Sequence, residues 1–315
     1  MYKCLYCYKE IEEGKDFHSR CARSFFGQKE VPSLPYCLED MERLAKEAVE
    51  RSVTVPGVQP KLSLGYIQEE LKNKQSGRLT ILDALDGAYI LKPQNEDYLE
   101  MPENEALTMR LAALFKLSVV PSSLIRLQSG ELCYLTKRID RTSSGEKLHM
   151  IDFLQILELE DKYLGTMERL GKEINALSDL PGLDVVRFFE LAVFNFVVGN
   201  NDMHLKNFSL IKTDAGWHLA PAYDLLNVKL ILPKDKEDTA LLLGGKKENL
   251  NASYFTRFGE TLGLNHKQVK AVYKRLDKWL PQAVELIQQS FLSEGAKTNY
   301  QQYITVRTAQ FVNEL

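Results

Sequence analysis

Neither sign of charge predominates in this 315-residue chain, in which 40 Lys and Arg stand against 43 Asp and Glu. No global field draws it toward nucleic acid or an anionic membrane surface, so any contact with DNA is expected only indirectly, through a partner. No apolar run approaches the roughly 18 residues of a membrane span, and Met1-Tyr2-Lys3-Cys4 is not followed by the apolar core of a signal peptide. The expectation is a cytoplasmic protein without a membrane partner. Five cysteines are too few for a disulfide scaffold in a chain of this size. Two phosphate-binding signatures are also missing, the three-glycine loop and the Walker A motif, as are internal repeats and low-complexity tracts.

What is present begins with a cluster of ligand-type side chains. Cys4 and Cys7 form one pair, His18 and Cys21 another, each with two residues between its members and ten residues between the pairs. Such spacing lets thiolates and an imidazole share one tetrahedral zinc, and a closed set of four ligands makes the ion structural. Cys37 and Cys133 read as packing residues. Pro32 and Pro35 then mark a linker before a helical stretch from Leu38 to about Glu50.

From Arg51 to about Arg141 short strand-like runs alternate with turns, at Leu79–Leu82, Ala88–Lys92, Ser123–Leu127 and Leu132–Thr136. One helix interrupts them, where Leu107, Leu111, Leu114 and Phe115 recur at helical spacing. Helical patterns dominate afterwards. Asp184 is the expected N-cap of the apolar helix Val185–Val198, and Thr213-Asp214-Ala215-Gly216 signals a hairpin. The last helices are expected over Lys267–Leu292, with a break at Pro281, and over Tyr300–Val312. The fold class is therefore α+β: a zinc-knuckle-like appendage over residues 1–30, a linker and helix over 31–50, a small β-rich lobe over 51–141 and a mainly α lobe over 142–315.

The densest polar motif is Gly199-Asn200-Asn201-Asp202-Met203-His204-Leu205-Lys206-Asn207, set between the buried helix and the hairpin. Asp202 and Asn207 stand five apart, the spacing by which a kinase catalytic loop places a substrate-facing carboxylate beside a magnesium-ligating amide. Tyr223-Asp224 follows Asn207 by about one hairpin, and magnesium prefers hard oxygen ligands such as these. Asp202 is then the catalytic base, with Asn207 and Asp224 as metal ligands. Lys92, at a strand end, is the candidate for the nucleotide phosphates, with Glu105 or Glu103 as its partner. The same residue types are also common in turns and on surfaces.

Five motifs in order, Pro56-Gly57-Val58-Gln59-Pro60-Lys61, Ile90-Leu91-Lys92-Pro93, Arg138-Ile139-Asp140-Arg141, Asn201 to Asn207, and Ala220-Pro221-Ala222-Tyr223-Asp224, resemble the HipA family. The resemblance spans roughly residues 51–280 and implies a two-lobed kinase fold that uses ATP and Mg2+. It implies that Pro56, Gly57, Val58, Gln59, Pro60 and Lys61 cover the phosphates held by Lys92. Lys137, Arg138 and Ile139 are implied to meet adenine and ribose, with Ile139 replacing the usual aromatic. His204, Lys206 and Tyr223 would also line the nucleotide.

Ser52 and Thr54 resemble the paired autophosphorylation sites of compact, HipT-like members, in which phosphate ejects the loop. The resemblance further implies a toxin that phosphorylates a protein substrate, an aminoacyl-tRNA synthetase, and is neutralised by a helix-turn-helix antitoxin. A kinase-like pattern starting near residue 50 departs from full-length members, so a separate small protein equivalent to their N-terminal subdomain is expected as a third component. Two readings compete: a catalytically inactive binding module of a toxin–antitoxin complex, and a small-molecule phosphotransferase. Intact Lys92, Asp202, Asn207 and Asp224 argue against the first, and the segment Ser52–Lys61 against the second.

Overall fold

The computed structural model describes residues 2–41, 43–44, 62–67, 78–81, 87–94, 97–142 and 145–315, with 62–67 and 78–81 described by backbone alone. The chain falls into two compact units, one comprising Met1–Ala106, Val120–Gly145 and Gln289–Phe291, the other Leu107–Val119, Glu146–Gln288 and Leu292–Leu315.

The first unit is built on an antiparallel sheet of β1 (Leu62–Ile67), β2 (Arg78–Ile81), β3 (Tyr89–Lys92), β4 (Ser122–Arg126) and β5 (Leu132–Lys137), in the order β2-β1-β3-β5-β4. β3 is central and is paired to β5 with Leu91 opposite Leu135 and Lys92 opposite Tyr134. Alternation along a strand sends neighbouring side chains to opposite faces, so Leu91 enters the apolar core while Lys92, next in sequence, is carried to the other face. The core on the Leu91 side is completed from the N-terminal segment. Phe25, Leu34 and Met41 join Tyr89, Leu91, Ile125 and Leu135 in one buried cluster.

Phe25 lies on α1 (Ser19–Phe26), which ends at Gly27 in the left-handed conformation. Eight residues are too few for a helix to persist alone in water, so α1 depends on what it packs against. Polar ties hold the same segment to the β4–β5 hairpin: Asp16 accepts from the Arg126 guanidinium at 3.1–3.2 Å, and the Gln128 amide donates to the Tyr36 carbonyl at 2.9 Å. Residues 38–41 and 43–44 are helical; the remainder of the helix expected to Glu50 lies outside the described residues. α2 (Met101–Leu114) begins in this unit.

The second unit centres on α4 (Pro181–Val198), whose aromatic side chains Phe188, Phe189, Phe194 and Phe196 are all fully buried. Phe188 meets Phe208 and Phe258 edge-on at 5.4 and 5.8 Å, and Phe196 meets Phe255 and Phe311 at 4.9 and 5.7 Å. Each such pair adds about 0.5–1.5 kcal/mol beyond its area burial. Around α4 lie α3 (Met167–Leu177), α5 (Ala252–Thr261), α6 (His266–Gln289) and α7 (Glu294–Val312), with a small sheet of β6 (Met150–Asp152), β7 (Ser209–Thr213) and β8 (Gly216–Leu219).

Three boundaries depart from the sequence expectation. α4 starts at Pro181, not after Asp184, because proline at the first helical position is pre-set for the helix and gives up only an N–H that has no partner there. Asp184 is instead buried one turn inside, where it accepts from the Leu219 amide and the Ser178 hydroxyl at 2.7 Å each, tying β8 to α4. Pro281 does not break α6. The buried stripe Val272, Leu276, Trp279, Ala283, Ile287 runs through it, and Pro281 faces solvent, where water serves the carbonyl it cannot. α7 begins at Glu294, capped by the Ser293 hydroxyl, rather than at Tyr300.

Candidate functional site

In the second unit the chain leaves α4 through Gly199, whose φ of 74° closes the helix with its N–H on the Asn195 and Phe196 carbonyls. A Cβ at this position would also stand 2.8 Å from the Tyr303 ring, so both conformation and space require glycine. Asn200 follows, buried, donating to the Asn195 side chain at 3.1 Å and accepting from the Asp202 amide at 3.3 Å. Asn201 is held by the Asp235 carboxylate at 2.8 Å and the Glu237 carbonyl at 2.9 Å. These bonds fix the backbone on either side of Asp202, which turns its own side chain outward, half-buried.

Asn207 closes the loop by donating from Nδ2 to the Asp202 carbonyl at 3.0 Å. That bond sets the amide orientation and leaves Oδ1, a hard oxygen, as the end available to a cation. The Asp202 carboxylate accepts from the Tyr163 hydroxyl at 2.9 Å on Oδ1. Burial, and then the Asp202 charge, push the Tyr163 phenol above its ordinary value, so it stays a neutral donor.

The β7–β8 hairpin turns on Asp214-Ala215, with Gly216 at φ 94°, and pairs Leu210 with Leu219. Its return delivers Tyr223 beside the loop: the phenol donates to the Lys206 carbonyl at 3.0 Å, and so receives the Ser209 hydroxyl at 2.6 Å. Asp224 follows at φ 56°, a left-handed conformation that aspartate tolerates better than most residues. His204 lies between the acids. Burial pushes its pKa down to about 4 against the opposing charges of Asp202 and Asp224, so the ring is neutral at pH 7, and among the described residues its buried Nδ1 has no hydrogen-bond partner. The structure thus brings together Asp202, His204, Asn207, Tyr223 and Asp224, with Lys206 contributing its backbone carbonyl.

In the first unit the Lys92 ammonium is 2.6 Å from Glu105 Oε1, both side chains almost fully buried. Of the two acids expected as its partner the structure selects Glu105; Glu103 instead accepts from Gln94 at 2.9–3.0 Å. At the end of β5, the Lys137 amide donates to the Pro121 carbonyl and the Arg138 amide to the Ala88 carbonyl, each at 2.9 Å. Asp140 grips the Arg138 guanidinium through both oxygens and Arg141 at 2.6 Å. Burial disfavours its charge, but these two guanidinium groups outweigh that and hold the carboxyl below its usual value. Ile139 lies half-buried between them. Ser52, Thr54 and the segment Pro56–Lys61 lie outside the described residues.

Tyr163 is the residue that no sequence pattern pointed to, whereas Asn200, Asp140 and Asp184 stood in motifs or caps without the partners found here. Tyr163 is 39 positions from Asp202, and no local pattern links them. A cleft of about 770 Å³ in the second unit, lined by Glu168, Arg169, Lys172 and Leu262 among others, includes none of the expected site residues.

At the N-terminus the four expected ligands converge. One donor atom from each of Cys4, Cys7, His18 and Cys21 lies within 4.8 Å of all the others, and burial together with the neighbouring thiols pushes Cys21 up to about 12.

The family model described as the HipA-like C-terminal domain matches residues 53–284. The chain belongs to that family. Among curated relatives, Y4mE of Sinorhizobium fredii is 35% identical over 185 residues, covering 56% of this chain and 42% of that protein. The serine/threonine-protein kinase toxin HipA of Shewanella oneidensis is 27% identical over 263 residues, covering 74% of this chain and 56% of that protein. The chain therefore spans about half the length of these two relatives. Among solved structures, Shewanella oneidensis HipA in complex with HipB and operator DNA superposes with a TM-score of 0.67 at 20% identity, over 96% of this chain and 80% of that one. The Helicobacter pylori proinflammatory kinase CtkA superposes with a TM-score of 0.54 at 15% identity, over 71% of this chain and 88% of that one. At these identities the two superpositions establish a shared α+β kinase-like fold. Among the described residues no helix is long and apolar enough to cross a membrane.

Proposed function

We propose that this HipA-family chain is a serine/threonine protein kinase that uses ATP and Mg2+. The observation that carries the reading is the loop from Asn200 to Asn207, which holds Asp202 half-exposed and ties Asn207 Nδ2 to the Asp202 carbonyl so that Oδ1 is the amide end left for a cation, with Asp224 acting on the same buried His204. Asp202 is assigned as the base. Its Oδ1 holds the Tyr163 hydrogen bond, so Oδ2 takes the proton of a substrate Ser or Thr hydroxyl as that oxygen bonds to the γ-phosphorus and ADP leaves. Asn207 Oδ1 and the Asp224 carboxylate supply oxygens of the kind magnesium takes. Magnesium, when bound, neutralises charge on the phosphates.

Lys92, oriented by Glu105, is assigned to the nucleotide phosphates, and Lys137, Arg138 and Ile139 to adenine and ribose. His204, neutral and with a free Nδ1, suits a nucleotide hydroxyl or phosphate edge; Lys206 and Tyr223 complete that wall. Pro56 to Lys61 are assigned as the phosphate cover, with Ser52 and Thr54 as its autophosphorylation sites. Similarity to the serine/threonine-protein kinase toxin HipA of Shewanella oneidensis supports a toxin role; an aminoacyl-tRNA synthetase is assigned as the substrate on the resemblance of the motifs alone. That relative's complex with HipB and DNA supports a DNA-binding antitoxin as partner.

Intact mass of freshly prepared, unmodified protein with and without ATP and magnesium tests the reading. Phosphate mapped to Ser52 or Thr54, and lost in Asp202→Asn, is the expected result; no incorporation and no nucleotide binding would overturn it.

A further inference from the structure

The N-terminal thiol cluster lies outside everything assigned so far, and its geometry is more specific than its spacing. His18 Nδ1 is 3.4 Å from the Cys7 sulfur and 3.8 Å from the Cys21 sulfur. Zinc at about 2.3 Å from sulfur and 2.0–2.1 Å from nitrogen gives a tetrahedron whose N···S edges are about 3.5 Å. On the opposite side of the ring, Nε2 is 3.0 Å from the Glu10 carbonyl. A carbonyl can only accept, so Nε2 carries the proton and the Nδ1 lone pair points at the sulfurs, which is how a second-shell carbonyl orients a metal-bound imidazole.

The backbone is shaped to the same end. Cys4 and Cys7 sit in a tight turn closed by the Tyr8 amide on the Cys4 carbonyl at 2.8 Å and the Cys4 amide on the Lys9 carbonyl at 2.9 Å. Tyr8 takes φ 63° to complete it, a conformation that is unfavourable for a bulky side chain. Cys21 comes from the first turn of α1, three residues after His18, so that both donors are presented from one turn of backbone.

What the cluster anchors gives it consequence. α1 carries His18 and Cys21 at one end and Phe25 and Phe26 at the other. Phe25 meets the Tyr89 ring of β3 at 5.9 Å, and the Lys137 ammonium of β5 lies 5.6 Å from the Phe25 ring. Too short to be stable unaided, α1 is held at its apolar end by the sheet, while its other end is tied by the Asp16–Arg126 ion pair two residues before His18 and by this cluster.

We propose that Cys4, Cys7, His18 and Cys21 bind one zinc ion that clamps α1 onto β3 and β5, so that zinc occupancy sets the order of the strands carrying Lys92 and Lys137. On binding, three thiols release three protons and form three Zn–S bonds, and Nδ1 supplies the fourth ligand. No electron is transferred and no position stays open for water. The inference does not depend on the kinase reading, because its readouts are metal content and backbone protection.

Elemental analysis of the full chain, purified under reducing conditions, is expected to give one zinc per molecule, and Co2+ exchanged into the site to give the absorption of a tetrahedral thiolate complex. Cys7→Ser should lose the metal. His18→Cys should keep it while shifting the cobalt spectrum toward four sulfurs, which guards against a variant that merely misfolds. Chelation should speed hydrogen exchange in the β3 and β5 peptides by about tenfold or more while leaving α4 unchanged. Metal-free protein that takes up no Co2+, or full zinc in folded Cys7→Ser, would overturn the site. Unchanged exchange in β3 and β5 after zinc removal would overturn the clamp.

Discussion

The candidate site residues of the two units handle charge in opposite ways. In the first, the Lys92 ammonium is buried against Glu105 at 2.6 Å, an ion pair sealed from water, and Asp140 is gripped by two guanidinium groups. In the second, the carboxylate of Asp202 meets a neutral hydroxyl from Tyr163, while the amides around it are consumed in fixing the backbone. A satisfied buried pair orients a side chain, because neither member can leave without stranding the other's charge. Among the described residues Asp202 has no ion-pair partner, so its charge is not cancelled locally. The first arrangement suits holding and the second suits chemistry.

Breaking the chemical side should have the largest effect. Asp202→Asn preserves shape and removes the proton acceptor, and phosphoryl transfer should fall by about 10²–10⁴-fold. Nucleotide affinity measured by calorimetry should change little; equal losses in both would mean that Asp202 serves binding instead. On the holding side, Glu105→Ala removes the carboxylate paired with the buried Lys92 ammonium, and should destabilise the protein by about 3–5 kcal/mol in chemical denaturation. The Lys92→Met, Glu105→Leu double variant should recover most of that stability without recovering nucleotide binding.

His204 sharpens the contrast through pH. Its folded pKa, lowered to about 4 by burial, lies below the value near 6.5 of an unfolded histidine. Between those values the unfolded chain binds more protons, so stability is intact above about 6.5 and falls as pH drops toward 4, by at most about 3 kcal/mol. Denaturation of His204→Gln should lack this part of the slope; an unchanged profile would refute the buried neutral ring. The smallest effect is expected from Tyr163→Phe. Removing one partly exposed hydrogen bond to a carboxylate should alter kcat by less than about tenfold; a loss as large as that of Asp202→Asn would show that the phenol does more than orient the carboxylate.

Much of this was legible before any coordinate. The five-residue step from Asp202 to Asn207 survives as a direct hydrogen bond between them, because a short loop restricts where its ends can go. The Asp214-Ala215 turn appears where its residues demanded it, and the Cys-x-x-Cys and His-x-x-Cys pairs meet because each is a single turn wide. The errors share another cause. Asp184 and Pro281 carry strong local preferences, as a cap and as a breaker, yet one is buried against β8 and the other lies within an intact helix. In both places packing over many residues outweighs a preference of about 1–3 kcal/mol at one.

The sequence by itself determined the α+β character, the order of the motifs, the Asp–Asn loop and the composition of the Cys–His cluster, all of which depend on neighbours within a turn or on residue type. Only the tertiary structure decided that Glu105 rather than Glu103 meets Lys92, that Tyr163 holds Asp202, and that Phe25 lies against Tyr89 and Lys137. Those contacts join segments from 13 to more than 100 residues apart. Their partners are selected by which faces must be buried together, and a linear pattern does not carry that selection.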